Sequence, residues 1–146
     1  MRIALATDHG GFEIKEFLKT HLLEEWYEVE DFGTHSPERC DFPDYVEPAA
    51  RSVASEVNDY GICICKTWLW MSMLANKIKW VRAAVIYNEH TAISAREHNN
   101  ANILCLGGCQ ATQEELVQWV EKFFASKFLW GRYQERIDML EGVYGK

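Results

Sequence analysis

Five short apolar runs, each followed by a turn and then by apolar residues at helical spacing, constrain this chain more than any other feature. RIALA, at the start, has no strict polar alternation, which suits a strand buried on both faces. After Thr7-Asp8-His9-Gly10-Gly11, the residues Phe12, Ile14, Leu18, Leu22 and Leu23 recur at helical spacing with Glu and Lys between them, an amphipathic helix of about four turns. YEVEDFG reads as a second strand and THSPERCDFP as a loop punctuated by Pro37 and Pro43. From about Asp44 to Val57 the pattern is helical, with Pro48 expected in the first turn, where proline is tolerated. YGICIC is the third strand, and Thr67 is expected to cap a helix running through Met71, Leu74 and Ala75 to Lys77. VRAAVIY, NEHTAISAREHN, ANILCLGG and ATQEELVQWVEKFFAS continue as strand, helix, strand, helix, the last opened by a Thr112/Glu115 capping box. Trp130-Gly131-Arg132 breaks the pattern, and YQERIDML reads as a C-terminal helix. Strands alternating with helices over short connections imply an α/β layered domain around a five-stranded parallel sheet with right-handed crossovers. The pattern does not fix the strand order.

The chain has 146 residues, which points to one domain over residues 1–146. A net charge of −7 argues against nucleic acid or an anionic membrane as the main partner, while leaving room for a locally basic pocket that takes an anionic small molecule. No apolar stretch approaches the length of a membrane span, and MRIALATDHGG lacks the pattern of a secretory leader. The five cysteines (40, 63, 65, 105 and 109) are odd in number. Cys63 and Cys65 are read as pointing to opposite faces of a strand and so as unable to pair. Reduced thiols in a cytoplasm are the expectation. Cys-Ile-Cys fits neither a zinc-ribbon nor a thioredoxin spacing, and no metal is expected.

Parallel sheets place ligands outside the carboxyl ends of their strands, so the polar turns after strands one and three are the candidate site. Asp8-His9 sets a carboxylate beside an imidazole there. The plainer reading of Asp8 is a helix cap, but the two following glycines let an anion approach a helix N-terminus. Cys65 ends strand three, and a thiol at a helix N-terminus tends toward a lowered pKa and can serve as base or nucleophile. Cys63 and Cys105, inside strands, read as structural. His98-Asn99-Asn100 ends the fourth helix, where histidine alone reads as a partner of the helix dipole. Arg132 and Arg136 share a helical face. They suit a phosphate, although a solvated basic face paired to Glu135 or Asp138 is the commoner case.

Together, IALATDHGGFEIKEFL, YEVEDFGTHSPERCDFPDY, NDYGICIC, MSMLANK, VRAAV, REHNNANILCLGG and GRYQERI resemble the ribose-5-phosphate isomerase B family, which also includes the galactose-6-phosphate isomerase subunits. The resemblance covers nearly the whole chain. It implies a three-layer α/β/α sandwich with a Rossmann-like sheet and a C-terminal helix. It implies a phosphorylated sugar as substrate, no metal or organic cofactor, and a homodimer or dimer of dimers with shared active sites. The implied reaction moves a carbonyl between C1 and C2 through a cis-enediolate. By the same resemblance Cys65 is the base, Thr67 helps a proton pass between oxygens, and Asp8 and His98 serve ring opening. Asn99 contacts the sugar or oxyanion, His9, Arg132 and Arg136 anchor the phosphate, and Tyr45 lies near the sugar. The cysteine favours a pentose over galactose 6-phosphate.

The chain also departs from the family. Where relatives carry Cys-Gly-Thr-Gly-x-Gly, it has Lys66, Trp68 and Trp70 lining the site, and Cys109 replaces an arginine. Lys66 is placed to bring a positive charge to the enediolate. Five of its six tryptophans (26, 68, 70, 80 and 130) stand where relatives carry glycine. An impaired sugar-phosphate binder or partner subunit, and an isomerase of another aldose phosphate, are the alternative readings.

Overall fold

A computed structural model describes residues 1–109 and 111–144. Five parallel strands form one sheet in the order β2-β1-β3-β5-β4. They are β1 (Arg2–Thr7), β2 (Glu28–Gly33), β3 (Tyr60–Cys65), β4 (Ala83–Val85) and β5 (Ile103–Gly107). The helices are α1 (Phe12–Glu24), α2 (Pro43–Ala54), α3 (Leu69–Ala75), α4 (Glu89–Glu97), α5 (Gln113–Ala125) and α6 (Arg132–Met139). The expected α/β/α sandwich is thus the fold.

The apolar runs explain the layers. Odd and even residues of a strand face opposite sides, and both sides are covered here. Ile3, Leu5, Ile62, Ile64, Leu104 and Leu106 pack against Leu18 and Leu22 of α1, Ala92 and Ala95 of α4, and Leu116, Trp119 and Phe123 of α5. On the other face Ala4, Ala6, Cys63, Cys65, Ile103 and Cys105 meet Val46, Ala49 and Ala50 of α2 and Met71 and Ala75 of α3. Cys63 and Cys65 therefore share a face, which corrects the expectation: side chains two apart in a strand lie on the same side. Both are free thiols.

The helix boundaries bring three further corrections. Pro48 lies inside α2, while Pro43 takes its first position; the missing amide leaves the Asp44 carbonyl without its helical donor. α2 also ends at Ala54, short of Val57. Thr67 does not cap α3; Trp68 does, on left-handed backbone and with no side-chain capping bond. The Thr112/Glu115 box on α5 is present, and α4 is opened by an equivalent Asn88/Thr91 box.

One buried charge pair fixes α1 against β2. Lys15, fully buried, reaches both oxygens of Asp31 at 2.8 and 3.0 Å, and Lys19 adds a contact at 2.7 Å. Burial opposes ionisation of Asp31. The hydrogen bonds from Lys15, Lys19 and the Gly33 N–H outweigh it and hold the carboxyl below its ordinary value. Among the described residues no helix is long and apolar enough to cross a membrane.

Candidate functional site

β1 sits between β2 and β3, so the chain leaves β1 for one neighbour and later enters the other. The carboxyl ends of β1 and β3 therefore flank a topological switch point, the place where open α/β sheets form a crevice. Two turns meet there. After β1, Asp8 caps a short 3-10 turn by accepting from the Gly10 N–H at 2.9 Å. His9 Nδ1 lies 3.2 Å from the Cys40 carbonyl and 3.3 Å from its N–H, so the β2–α2 loop braces the imidazole. Gly11 is a close approach. A Cβ there would collide with Thr7 Oγ1 and stand 2.7 Å from Ile64 Cγ2. A Cβ on Gly10 would be 3.4 Å from the Lys66 nitrogen, which places the second turn directly beside the first.

That second turn follows Cys65, whose carbonyl is held by the Gly108 N–H at 2.9 Å. Cys65 is 2% exposed. The backbone N–H groups of Thr67, Trp68 and Met71 are near enough to its sulfur to favour the thiolate. The expectation of a lowered thiol pKa is nonetheless corrected. Burial dominates and raises it, Asp8 raises it further, and the three N–H groups recover only part, so the thiol titrates above its ordinary 9.0. Burial also pushes Cys63 up to about 12 and Cys105 well above the ordinary range, as suits inert structural thiols. The two replaced tryptophans behave differently. Trp70 turns outward, 59% exposed, its ring 5.6 Å from that of Phe42. Trp68 turns inward: its indole packs against Gly107, the register partner of Cys65. Lys66 and Thr67 are exposed. Tyr45, at the start of α2, packs its ring on Gly33 at the end of β2.

The remaining candidates gather elsewhere. α4 runs back from the carboxyl end of β4, so His98 and Asn99 fall at the opposite, amino-terminal edge of the sheet. Asn102, four residues on, donates from its backbone to the Arg82 carbonyl before β4 and accepts from the Gly61 N–H at the start of β3. His98 stacks on Tyr133 of α6 with ring centroids 4.5 Å apart. His98, Asn99, Tyr133 and Arg136 line a cavity of about 480 Å³ with Asn76 and Arg82. Arg132 is exposed and donates to the Tyr133 hydroxyl at 3.0 Å. An Arg82–Glu141 pair at 2.8 Å ties the C-terminal segment to this edge.

The site residues thus form two clusters. Asp8, His9, Tyr45, Cys65, Lys66, Thr67, Trp68 and Trp70 stand at one edge, and His98, Asn99, Arg132 and Arg136 at the other. At about 3.3 Å per residue, the length of β3 separates the edges by roughly 16 Å. Sequence reasoning missed the Cys40 brace on His9 and the Tyr133 stack on His98. Both join segments far apart in the chain, and neither residue type signals its partner. Among the described residues no group of histidine, cysteine and carboxylate side chains is placed to hold a metal.

Comparison with known proteins places this geometry. The profile of the ribose/galactose isomerase family matches residues 3–140. The ribose-5-phosphate isomerase B of Escherichia coli is 35% identical over 142 residues, covering 97% of this chain and 95% of that protein. A solved ribose 5-phosphate isomerase from Thermotoga maritima superposes with a TM-score of 0.95 at 42% identity, covering 97% of this chain and 98% of that one. The Mycoplasma genitalium ribose-5-phosphate isomerase B, solved with bound ribulose-5-phosphate, gives 0.92 at 38% identity, covering 95% of this chain and 93% of that one. The chain belongs to the ribose/galactose isomerase family.

Proposed function

We propose that residues 1–146 form one sugar-phosphate isomerase domain that interconverts ribose 5-phosphate and ribulose 5-phosphate through a cis-enediolate. The observation that carries this reading is the Cys65 thiol at the carboxyl end of β3, its turn packed beside the Asp8 turn, at the switch point of the sheet. The names of the E. coli and T. maritima relatives, and the ribulose-5-phosphate bound to the M. genitalium one, support the substrate.

The chemistry assigns each group a task. Asp8 and His98 exchange protons with the anomeric hydroxyl and the ring oxygen, which opens the sugar. The Cys65 thiolate takes the proton from C2. The electron pair left behind forms the C1–C2 double bond, and the C1 oxygen takes the charge. Thr67 passes the hydroxyl proton from O2 to O1. The thiol then returns its proton to C1 as the C2 carbonyl forms, so aldose becomes ketose with no atom gained or lost. Asn99 and the turn's N–H groups hold the oxyanion, with the Lys66 ammonium nearby. His9, Arg132 and Arg136 hold the phosphate, so that remote binding fixes the reacting end. Tyr45, Trp68 and Trp70 line the sugar. With the thiol above its ordinary value, only a small fraction is ionised at neutral pH, and turnover rises with pH toward that value.

Two clusters roughly 16 Å apart serve one small substrate only if a second copy brings its His98 edge to the Cys65 edge of the first. A homodimer with two shared sites, alone or doubled, is the arrangement this reading requires. The free cysteines fit a cytoplasmic setting.

Conversion of ribose 5-phosphate to ribulose 5-phosphate by the purified chain is the first test; folded protein without turnover at high concentration defeats the reading. Mixing separately inactive Cys65→Ala and His98→Asn chains tests the sharing. Random exchange restores about a quarter of the parental rate if each site draws on two copies, and restores nothing if each copy holds a whole site.

A further inference from the structure

The backbone carries a signal that no side-chain contact explains. Among the described residues, six that are not glycine have φ in the left-handed region: Trp26 at 62°, Glu56 at 60°, Trp68 at 58°, Trp80 at 70°, Asn100 at 46° and Trp130 at 55°. Four are tryptophan, although tryptophan makes up only six of 146 residues. Left-handed backbone drives a Cβ against the following carbonyl, a conflict that glycine escapes and that asparagine relieves locally.

Each of these places is one that glycine ordinarily fills. Trp26 follows the cap of α1, where the Tyr27 N–H bonds Leu22 O at 3.0 Å and its own N–H bonds Leu23 O at 3.1 Å. That is the helix-ending motif whose left-handed residue is usually glycine. Trp68 and Trp130 sit at the entries to α3 and α6, and Trp80 in the turn before β4. Burial does not offset the strain. Trp26, Trp80 and Trp130 are 93%, 51% and 64% exposed. Trp68 lies across Gly107, where it fills space beside Cys65. Trp119 is the contrast: it is helical, 7% exposed and packed in the core with Leu116, Val120 and Phe123. Trp70 lies on regular helix and stands outside this argument.

We infer that residues 26, 68, 80 and 130 are glycine in the polypeptide that the source organism makes, all four being encoded by one codon which that organism reads as glycine. Four separate changes to the same bulky side chain, each on left-handed backbone, call for one cause, and a single reassigned codon supplies it. UGA, read as tryptophan in some genetic codes, lies one base from the glycine codon GGA. The consequence for the site is direct. Glycine at 68 relieves the backbone, leaves the N–H groups around Cys65 in place and empties the volume over Gly107 for a ligand. The inference stands apart from the isomerase reading, since it concerns backbone geometry at three positions outside the Cys65 turn.

Peptide mass spectrometry of the protein isolated from its own organism reads these positions directly. Glycine at 26, 68, 80 and 130 with tryptophan at 119 is the expected result, and tryptophan at any of the four overturns the inference. The recombinant tryptophan chain supplies a second measurement. Trp26→Gly, Trp80→Gly and Trp130→Gly are each expected to raise the thermal midpoint by a few degrees, whereas Trp119→Gly lowers it. A lower midpoint for any of the first three overturns the claim that their backbone is a glycine backbone.

Discussion

The turns after β1 and β3 meet at one switch point, yet they differ in what they ask of a residue. In the first, Gly10 and Gly11 provide room. Gly11 has ordinary negative φ, and it is glycine because Thr7 and Ile64 occupy the place of a side chain. In the second, the demand is conformational. Residue 68 turns left-handed where the chain passes from Cys65 into α3, and the N–H groups of 67, 68 and 71 act on the Cys65 sulfur. A side chain is sterically accommodated there, at the cost of strain and of the space over Gly107. A crowded backbone thus excludes side chains outright, whereas a left-handed one admits them and is distorted or filled as a result.

The first way to break this comparison is to loosen what stands behind the first turn. Lys15 and Asp31 anchor α1, and among the described residues the β3 turn has no equivalent ion pair. Asp31→Asn removes the buried counter-charge of the Lys15 ammonium, leaving it only the half-exposed Glu16 carboxylate at 2.7 Å, and is expected to cost about 3 kcal/mol in urea unfolding. Because the folded Asp31 titrates below its ordinary 3.8, its stabilisation is full above that pH and is lost as the pH falls from there through the lower folded value. The parent should therefore lose stability in acid more steeply than the variant. Parallel acid profiles would remove this pair from the account.

Gly11→Ala comes next. The collision with Thr7 and Ile64 predicts a loss of about 1–3 kcal/mol, read by urea denaturation. Gly10→Ala, whose nearest neighbours would be 3.2 and 3.4 Å away, should cost less. Equal costs at the two positions would show that the first turn is not limited by room.

The smallest effect couples the turns. Asp8 raises the Cys65 pKa across the gap between them, after burial. The pH dependence of Cys65 alkylation, followed by peptide mapping, should have its midpoint above 9.0 in the parent and lower in Asp8→Asn. An unchanged midpoint would mean that the two turns do not sense each other.

The fold was legible for a local reason. RIALA, YGICIC and ANILCLGG are continuous apolar runs because their strands are buried on both faces, and Thr112/Glu115 announces its helix within four residues. Strand order was not legible, since the pairing of β1 with β3 joins residues more than fifty apart. The site was half legible. Asp8 and Cys65 sit where strand ends imply a crevice, but the retreat of His98 to the far edge follows from the path of α4, which periodicity alone does not place. The raised thiol pKa was hidden too, because burial and the approach of Asp8 exist only once the sheet is assembled. The exposed indoles of Trp26, Trp80 and Trp130 stood out in the sequence only by resemblance, as tryptophan where relatives carry glycine; their cost appears in φ.

The central claim is that the β3 turn moves the proton and needs residue 68 to be small. The most direct measurement is the initial rate of ribulose 5-phosphate formation by the parent and Trp68→Gly chains, each with and without Cys65→Ala. The account predicts a faster Trp68→Gly chain and a loss of about 10²–10⁴-fold on removing the thiol from either. A Trp68→Gly chain no faster than the parent, or a Cys65→Ala chain that keeps its rate, would contradict it.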